Sequence, residues 1–231
     1  MEISIFKAVG PIMIGPSSSH TAGAARLARI ARLIVAAPFS HVCFALHGSF
    51  AKTYRGHGTD RALVAGALGL REDDERLADS FALARRAGLS WEFTEADLGG
   101  MHENSVRMTF TLTDGSRQEI TGSSIGGGQI VIRSINGFET EYSAQSSALI
   151  IRQYDRPGVV SEVSGVLAGH GINIAVMRVS RSARGETAFC IIETDDWIPR
   201  EVEATLRELP NIISVRAINL IDREESTCTA I

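Results

Sequence analysis

The chain has 231 residues, 44% of them hydrophobic and 22% charged, with a formal net charge of −4. That length supports one or two buried cores, the composition is that of an ordinary soluble globular protein, and no global basic field points to nucleic acid. The three cysteines, Cys43, Cys190 and Cys228, are an odd and widely separated set, which speaks against a disulfide framework or a CxxC metal knuckle and for a reduced, cytoplasmic chain.

MEISIFKAVG opens with an early acid and no long apolar run, so no signal peptide is expected, and no later stretch has the apolar length of a membrane span. ISIFKAVG reads as a strand or a turn-rich lead-in. GPSSSHT then opens into TAGAARLARIARLIVAA, a helix whose Arg26, Arg29 and Arg32 line one flank and read as a solvated face. HVCFALHGSFA alternates like a strand, and TDRALVAGALGL is a helix stopped by glycines. Arg71 to Asp79 and FALARRAG read as loop and helix. WEFTEAD, NSVRMTFTLTDGSRQEITGSSIGG and GQIVIRSING follow as strands, turning at Asp114-Gly115 and at Gly126 to Gly128. A short polar stretch from Tyr142 to Ser147 suggests a domain boundary.

The last third alternates regularly. SSALIIRQ is a strand, Asp155 to Gly158 a turn, and VVSEVSGVLAGHG a helix with Val159, Val160, Val163, Val166 and Leu167 at apolar spacing. INIAVMRVSRS and ETAFCIIET are strands, REVEATLREL a helix with Val202, Leu206 and Leu209 inward, and NIISVRAINLI a closing strand. The order β-α-β-β-α-β is a ferredoxin-like arrangement, and the chain as a whole is α+β. DRPGV and GHGINI make this segment resemble the ACT family, in which amino acids often bind near the helix-to-strand connection. The matching positions are Gly169, His170, Gly171, Ile172, Asn173 and Ile174, and the Asn173 amide both donates and accepts hydrogen bonds. A glycine-rich helix stop, or a surface used only for dimerisation, is the plainer alternative.

Chemistry concentrates in the first third. Ser17, Ser18, Ser19 and Thr21 present hydroxyls at a helix N-terminus, where backbone N–H groups and the helix dipole favour a carboxylate or phosphate. His20 adds a group that titrates near neutrality. The motif is neither a Walker loop nor a nucleophile elbow, and an elaborate helix cap would need the same residues. His47-Gly48-Ser49 and Gly56-His57-Gly58-Thr59-Asp60 form a second cluster, whose Thr59 or Asp60 would also cap a helix. His20, His47 and His57 are candidates for one polar pocket. Their spacing fits no standard zinc motif, so no metal ligand is expected on this chain.

GPSSSHTAGA, HGSFAKTYRGHGTDRALVAGALG, MHEN and SSIGGGQIVIRSINGFE together resemble the beta subunit of the iron–sulfur-dependent L-serine dehydratases, over nearly the whole chain. The resemblance implies a lyase of amino-acid catabolism converting L-serine to pyruvate and ammonia, a source of pyruvate for gluconeogenesis. A [4Fe–4S] cluster held by the cysteines of an alpha subunit would act as Lewis acid. It implies an N-terminal domain (1–142) similar to the allosteric substrate-binding domain of phosphoglycerate dehydrogenase, an ACT domain (147–222) and a disordered tail (223–231). Carried onto this sequence, His57 is the first candidate for proton transfer and His20 the second. Ser17, Ser18, Ser19, Thr21, His47 and Gly58 would line the serine site, with His102 and Asn104 near it. Gly169, His170, Gly171, Ile172 and Asn173 would hold a regulatory ligand. Gly126 to Gly128 is expected to be only a turn, and Cys228 could reach a cluster from the tail. The expected partners are the alpha subunit, L-serine and a second copy through the ACT domain, with neither nucleic acid nor membrane. A free-standing amino-acid sensor and an assembly module are the competing readings.

Overall fold

Ser17 caps the first helix. In the computed structural model, which describes residues 15–220, its Oγ accepts the His20 N–H at 3.1 Å and its carbonyl receives the N–H groups of Thr21 and Ala22 at 3.0 and 3.3 Å. Ser18–Gly23 therefore wind as one π-helical turn, continuous with α1 (Ala24–Val35). The helix starts at Ser18 instead of Thr21, because the serine cap is built into it. The lead-in ISIFKAVG and the tail with Cys228 lie outside the described residues.

The flank of arginines on α1 is solvated only in part: Arg26 and Arg29 are half-buried, and Arg32 is exposed. Ala24, Ala25, Leu27, Ala28, Ile30 and Ala31 are wholly buried, Arg29 is drawn to within 3.8 Å of Glu72, and Arg32 donates to the Ala67 carbonyl at 2.9 Å. The buried helix it crosses is α3 (Thr59–Leu68), and small residues make the crossing close. A Cβ on Gly66 would lie 2.1 Å from the Ala25 carbonyl oxygen.

HVCFALHGSFA is not one strand. β1 (Phe39–Leu46) ends before His47, and α2 (Gly48–Thr53) begins at once. Gly48 takes φ +56°, and a Cβ there would sit 2.7 Å from the Glu103 carbonyl oxygen, so glycine permits both the turn and the close approach. A 3₁₀ turn (Glu75–Asp79) and α4 (Ser80–Arg86) lead to β2 (Ser90–Glu95), which pairs parallel with β1. β3 (Ser105–Leu112), β4 (Arg117–Gly126) and β5 (Gln129–Ile135) add antiparallel, in the order β2-β1-β3-β4-β5. Phe44, Met108, Phe110, Ile120 and Ile132 alternate onto the covered face and are fully buried, each contributing about 1.5–3 kcal/mol of hydrophobic stabilisation.

The two compact units divide between Gly137 and Phe138. β6 (Phe138–Tyr142) goes with the second unit, so the stretch to Ser147 is packed structure and not a free linker. Phe138 stacks on Phe189 at 5.5 Å, the buried Tyr142 donates to the Ser146 carbonyl at 3.1 Å, and Ser146 Oγ donates to the Glu193 carboxylate at 3.0 Å. Within this unit β7 (Ser147–Tyr154), α5 (Val159–Gly169), β8 (Ile174–Arg181), β9 (Thr187–Thr194), α6 (Arg200–Arg207) and β10 (Ile212–Ile218) follow the expected order. The strands run β10-β7-β9-β8, the ferredoxin-like sheet. Leu149, Ile151, Val163, Leu167, Ile192, Val202 and Leu206 form its core. Val160, counted among the inward residues of α5, is 42% exposed, since the helix buries only the stripe of Val159, Val163 and Leu167.

Candidate active site

The π-helical turn carries His20 onto the loop between α2 and α3. Its ring lies 4.8 Å, centroid to centroid, from that of His57 and is tilted by 38°. Phe50 meets it edge-on at 5.4 Å. His20 Nε2 is 3.0 Å from Ser49 Oγ, and Nδ1 is 3.5 Å from Ser17 Oγ. Thr21 Oγ1 donates to the His57 carbonyl at 3.0 Å, tying the turn to the Gly56–Gly58 loop. Two histidines from different elements are thus brought together. His57 is exposed, with no side-chain hydrogen bond among the described residues, whereas both nitrogens of His20 have hydroxyl neighbours.

Ser18 and Ser19 are half-buried in the turn, and their hydroxyls have no partner among the described residues. Gly58, His57 and Thr21 also line a concavity of about 370 Å³ with Arg55, Asp60 and Arg61. Burial pushes the Asp60 carboxyl above the ordinary carboxylate range.

His47 does not join this group. Its Nδ1 accepts the Leu98 N–H at 3.2 Å, and the ring faces a separate groove with Lys52, Glu95 and Glu103. As the residue preceding α2 it points toward the loop after β2; Ser49, one step into the helix, reaches His20. Reading this segment as a strand hid that switch, and Ser49, named only as part of the His47-Gly48-Ser49 cluster, received no role of its own. The turn implied by Gly48 was the available signal.

His102 and Asn104 form a tight turn before β3. His102 Nδ1 accepts the Asn104 N–H at 3.1 Å, its carbonyl accepts from Ser105 Oγ, and the Asn104 carbonyl accepts the Ser124 N–H at 2.9 Å. Through Glu103, whose carbonyl accepts the Phe50 N–H at 3.3 Å, this turn buttresses α2. Gly126, Gly127 and Gly128 all have positive φ and form the turn between β4 and β5.

Burial, reinforced by the neighbouring His57, lowers the His20 pKa below its ordinary value of 6.5. The unfolded chain therefore takes up a proton at a pH where the native ring resists it. The His20 contribution to stability is whole above about pH 6.5 and is lost as the pH falls toward the lower native value. Thermal melts at about pH 7.5 and about pH 5.5 should show a larger acid-side loss for the wild-type chain than for His20→Gln. Equal losses would contradict the placement of His20 in this enclosed pair.

The described residues do not compose a cluster or metal site. No group of three or more His, Cys, Asp or Glu side chains among them is placed to hold a metal ion. Cys43 is half-buried in β1, and burial in β9 pushes the Cys190 thiol up to about 12.

In the second unit, Gly169 to Asn173 close α5. The N–H groups of His170, Gly171 and Ile172 return to the last carbonyls of the helix, including Gly171 N–H to Ala168 at 3.0 Å and Ile172 N–H to Leu167 at 3.0 Å. Ile172 is buried in the core, His170 Nδ1 lies 2.9 Å from the Val166 carbonyl, and Asn173 Nδ2 donates to Asp195 at 2.8 Å. Only His170, Gly171 and Asn173 of this connection, with Gly169, present outward.

Comparison with known proteins adds an independent line. The family model described as serine dehydratase beta chain matches residues 4–87, and the ACT domain model matches residues 147–211. The chain is similar to the L-serine dehydratase beta chain of Peptoniphilus asaccharolyticus, at 41% identity over 206 residues, covering 89% of this chain and 93% of that one. It is similar to the probable L-serine dehydratase beta chain of Bacillus subtilis, at 41% identity over 215 residues, covering 93% and 97%. A D-3-phosphoglycerate dehydrogenase of Methanocaldococcus jannaschii is 32% identical over 117 residues, which cover 51% of this chain and 22% of that protein.

Proposed function

Because the chain belongs to the serine dehydratase beta chain family, we propose that it is the beta subunit of a heteromeric, [4Fe–4S]-dependent L-serine ammonia-lyase. The observation that carries this reading is the His20–His57 pair, 4.8 Å apart, at the mouth of the serine-rich turn. In this reading the cluster would be held by an alpha subunit, where it would supply the Lewis acid for departure of the substrate hydroxyl.

The geometry supports distinct roles. Ser18 and Ser19, with hydroxyls not consumed by capping, receive the substrate carboxylate; Ser17 and Thr21 hold the turn in shape. His57, exposed and free at both nitrogens, takes the α-proton, and His20 stands behind it as the second imidazole. Loss of the α-proton and of the β-hydroxyl leaves aminoacrylate. Its imine tautomer reacts with water to give pyruvate and ammonia. The ACT domain supplies regulation or self-association, with Gly169, His170, Gly171 and Asn173 as its outward surface, and the enzyme works in the cytoplasm.

Anaerobic co-expression with the cysteine-rich partner encoded in the same genome tests the reading. The purified pair should release pyruvate from L-serine, and neither chain alone should do so. Serine binding by this chain without turnover in the pair would instead identify a free-standing amino-acid sensor and sink the proposal.

A further inference from the structure

The His20 ring is held from three directions, and one of the holding groups has no assigned purpose. Ser17 Oγ lies 3.5 Å from Nδ1, Phe50 packs against the ring edge-on, and Ser49 Oγ lies 3.0 Å from Nε2. Ser49 is not a surface hydroxyl that happens to be near. It stands in the first turn of α2, whose origin is set by Gly48 pressed against Glu103 and by the Phe50 N–H bonded to the Glu103 carbonyl. The Ser49 carbonyl accepts from Thr53 Oγ1 at 2.7 Å, which braces the same turn from its other end. Phe50, next in sequence, is wholly buried and leaves the helix no freedom to rotate.

We propose that Ser49 is a positioning residue that fixes the orientation and tautomer of His20, and through His20 the placement of the His57 ring. Ser17 Oγ accepts the backbone N–H of His20 and has its own proton to offer Nδ1, besides a second lone pair that could accept from it. In the proposed arrangement Ser17 donates to Nδ1, and the proton of the neutral ring resides on Nε2 and is donated to Ser49 Oγ. Without that acceptor, Nε2–H loses its protein partner, the ring can flip or change tautomer, and the surface against which His57 tilts is no longer defined. The side chains facing His20 are Ser17 from its own turn, Ser49 and Phe50 from α2, and His57 from the following loop, the last being the titratable one.

The catalytic part of this inference rests on the chain being a serine dehydratase subunit; the structural part does not, so two measurements are used. In the isolated full-length chain, ¹⁵N-histidine spectra should show His20 as a single neutral tautomer protonated at Nε2. Ser49→Ala should convert it to an exchanging mixture of tautomers, and Ser49→Thr should restore the single form. An unchanged His20 spectrum in Ser49→Ala overturns the proposal whether or not the assembled enzyme uses serine. In the reconstituted pair, Ser49→Ala should lower kcat about tenfold or more, with KM for L-serine within about twofold and Ser49→Thr recovering most of the rate. Ser49→Ala should add little further loss in a His20→Gln background, because a residue that acts through His20 has nothing left to position. Fully additive losses in that cycle, or a rate loss in Ser49→Thr equal to that in Ser49→Ala, would also overturn it.

Discussion

His57→Ala should lower the kcat of the reconstituted pair by about 10²–10⁴-fold, the usual contribution of a positioned acid–base group. The side chain is exposed, and the loop is held by backbone bonds: Thr21 Oγ1 to the His57 carbonyl, and the His57 N–H to the Thr53 carbonyl at 3.2 Å. Truncating the imidazole leaves those bonds intact and removes little buried surface beyond its contact with the His20 ring, so the melting temperature of the isolated chain should move by less than about 2 °C. That combination separates a chemical role from a structural one. Turnover within a fewfold of wild type would take the α-proton away from His57. A large fall in melting temperature would mean that the ring supports the fold.

Gly66→Ala should have the largest effect on stability. In an ordinary helix interior, alanine is preferred to glycine by about 1 kcal/mol. Here the new Cβ would stand 2.1 Å from the Ala25 carbonyl oxygen and 2.8 Å from both the Ala28 Cβ and the Arg29 nitrogen. Two of those three atoms are backbone of α1, which is buried along almost its whole length and cannot yield locally. Overpacking of that kind costs about 3 kcal/mol and outweighs the propensity gain, leaving a net loss of about 2 kcal/mol and a drop of about 4–8 °C in melting temperature. Gly165→Ala in α5 is the matched control. A Cβ there meets nothing within 4 Å, so the change should be neutral or stabilising by up to about 1 kcal/mol. Equal responses of the two variants would show that the α1–α3 crossing is looser than described. Because α1 follows directly from the serine-rich turn and α3 directly from the His57 loop, this crossing also fixes the distance between the two histidines.

Much of the architecture is legible without coordinates, for identifiable reasons. The strands of the ACT segment alternate with two amphipathic helices whose apolar stripes are local facts of the chain, and Gly158 and Gly171 mark the ends of the first of them. Tertiary packing overrode the local signal elsewhere. Arg26, Arg29 and Arg32 look like a wet helix flank, yet Arg26 and Arg29 are half-buried, with Arg29 drawn to Glu72, while Arg32 stays exposed and donates to the Ala67 carbonyl. HVCFALHGSFA keeps an alternating pattern across the point where strand becomes helix, because Phe50 is buried in α2 as Phe44 is in β1. The polar stretch from Tyr142 to Ser147 looks like a domain boundary, but the buried Tyr142 and the Ser146–Glu193 bond close it onto the ACT sheet.

The candidate site shows the same division. GPSSSHT reads correctly as a helix cap, since capping is a property of neighbours three residues apart. The grouping of histidines could not be read that way. His20 and His57 meet because α1 and α3 cross at Gly66, while His47 is turned away by the start of α2 and replaced near the ring by Ser49. Local hydrogen bonding and periodicity therefore determine which helix ends and turns carry the clustered hydroxyls and imidazoles. Which of them share a pocket depends on close backbone approaches between distant segments, at Gly48 with Glu103 and at Gly66 with Ala25. Those distances belong to the packed structure, because no short-range pattern in the chain encodes the separation of two elements that meet only on folding.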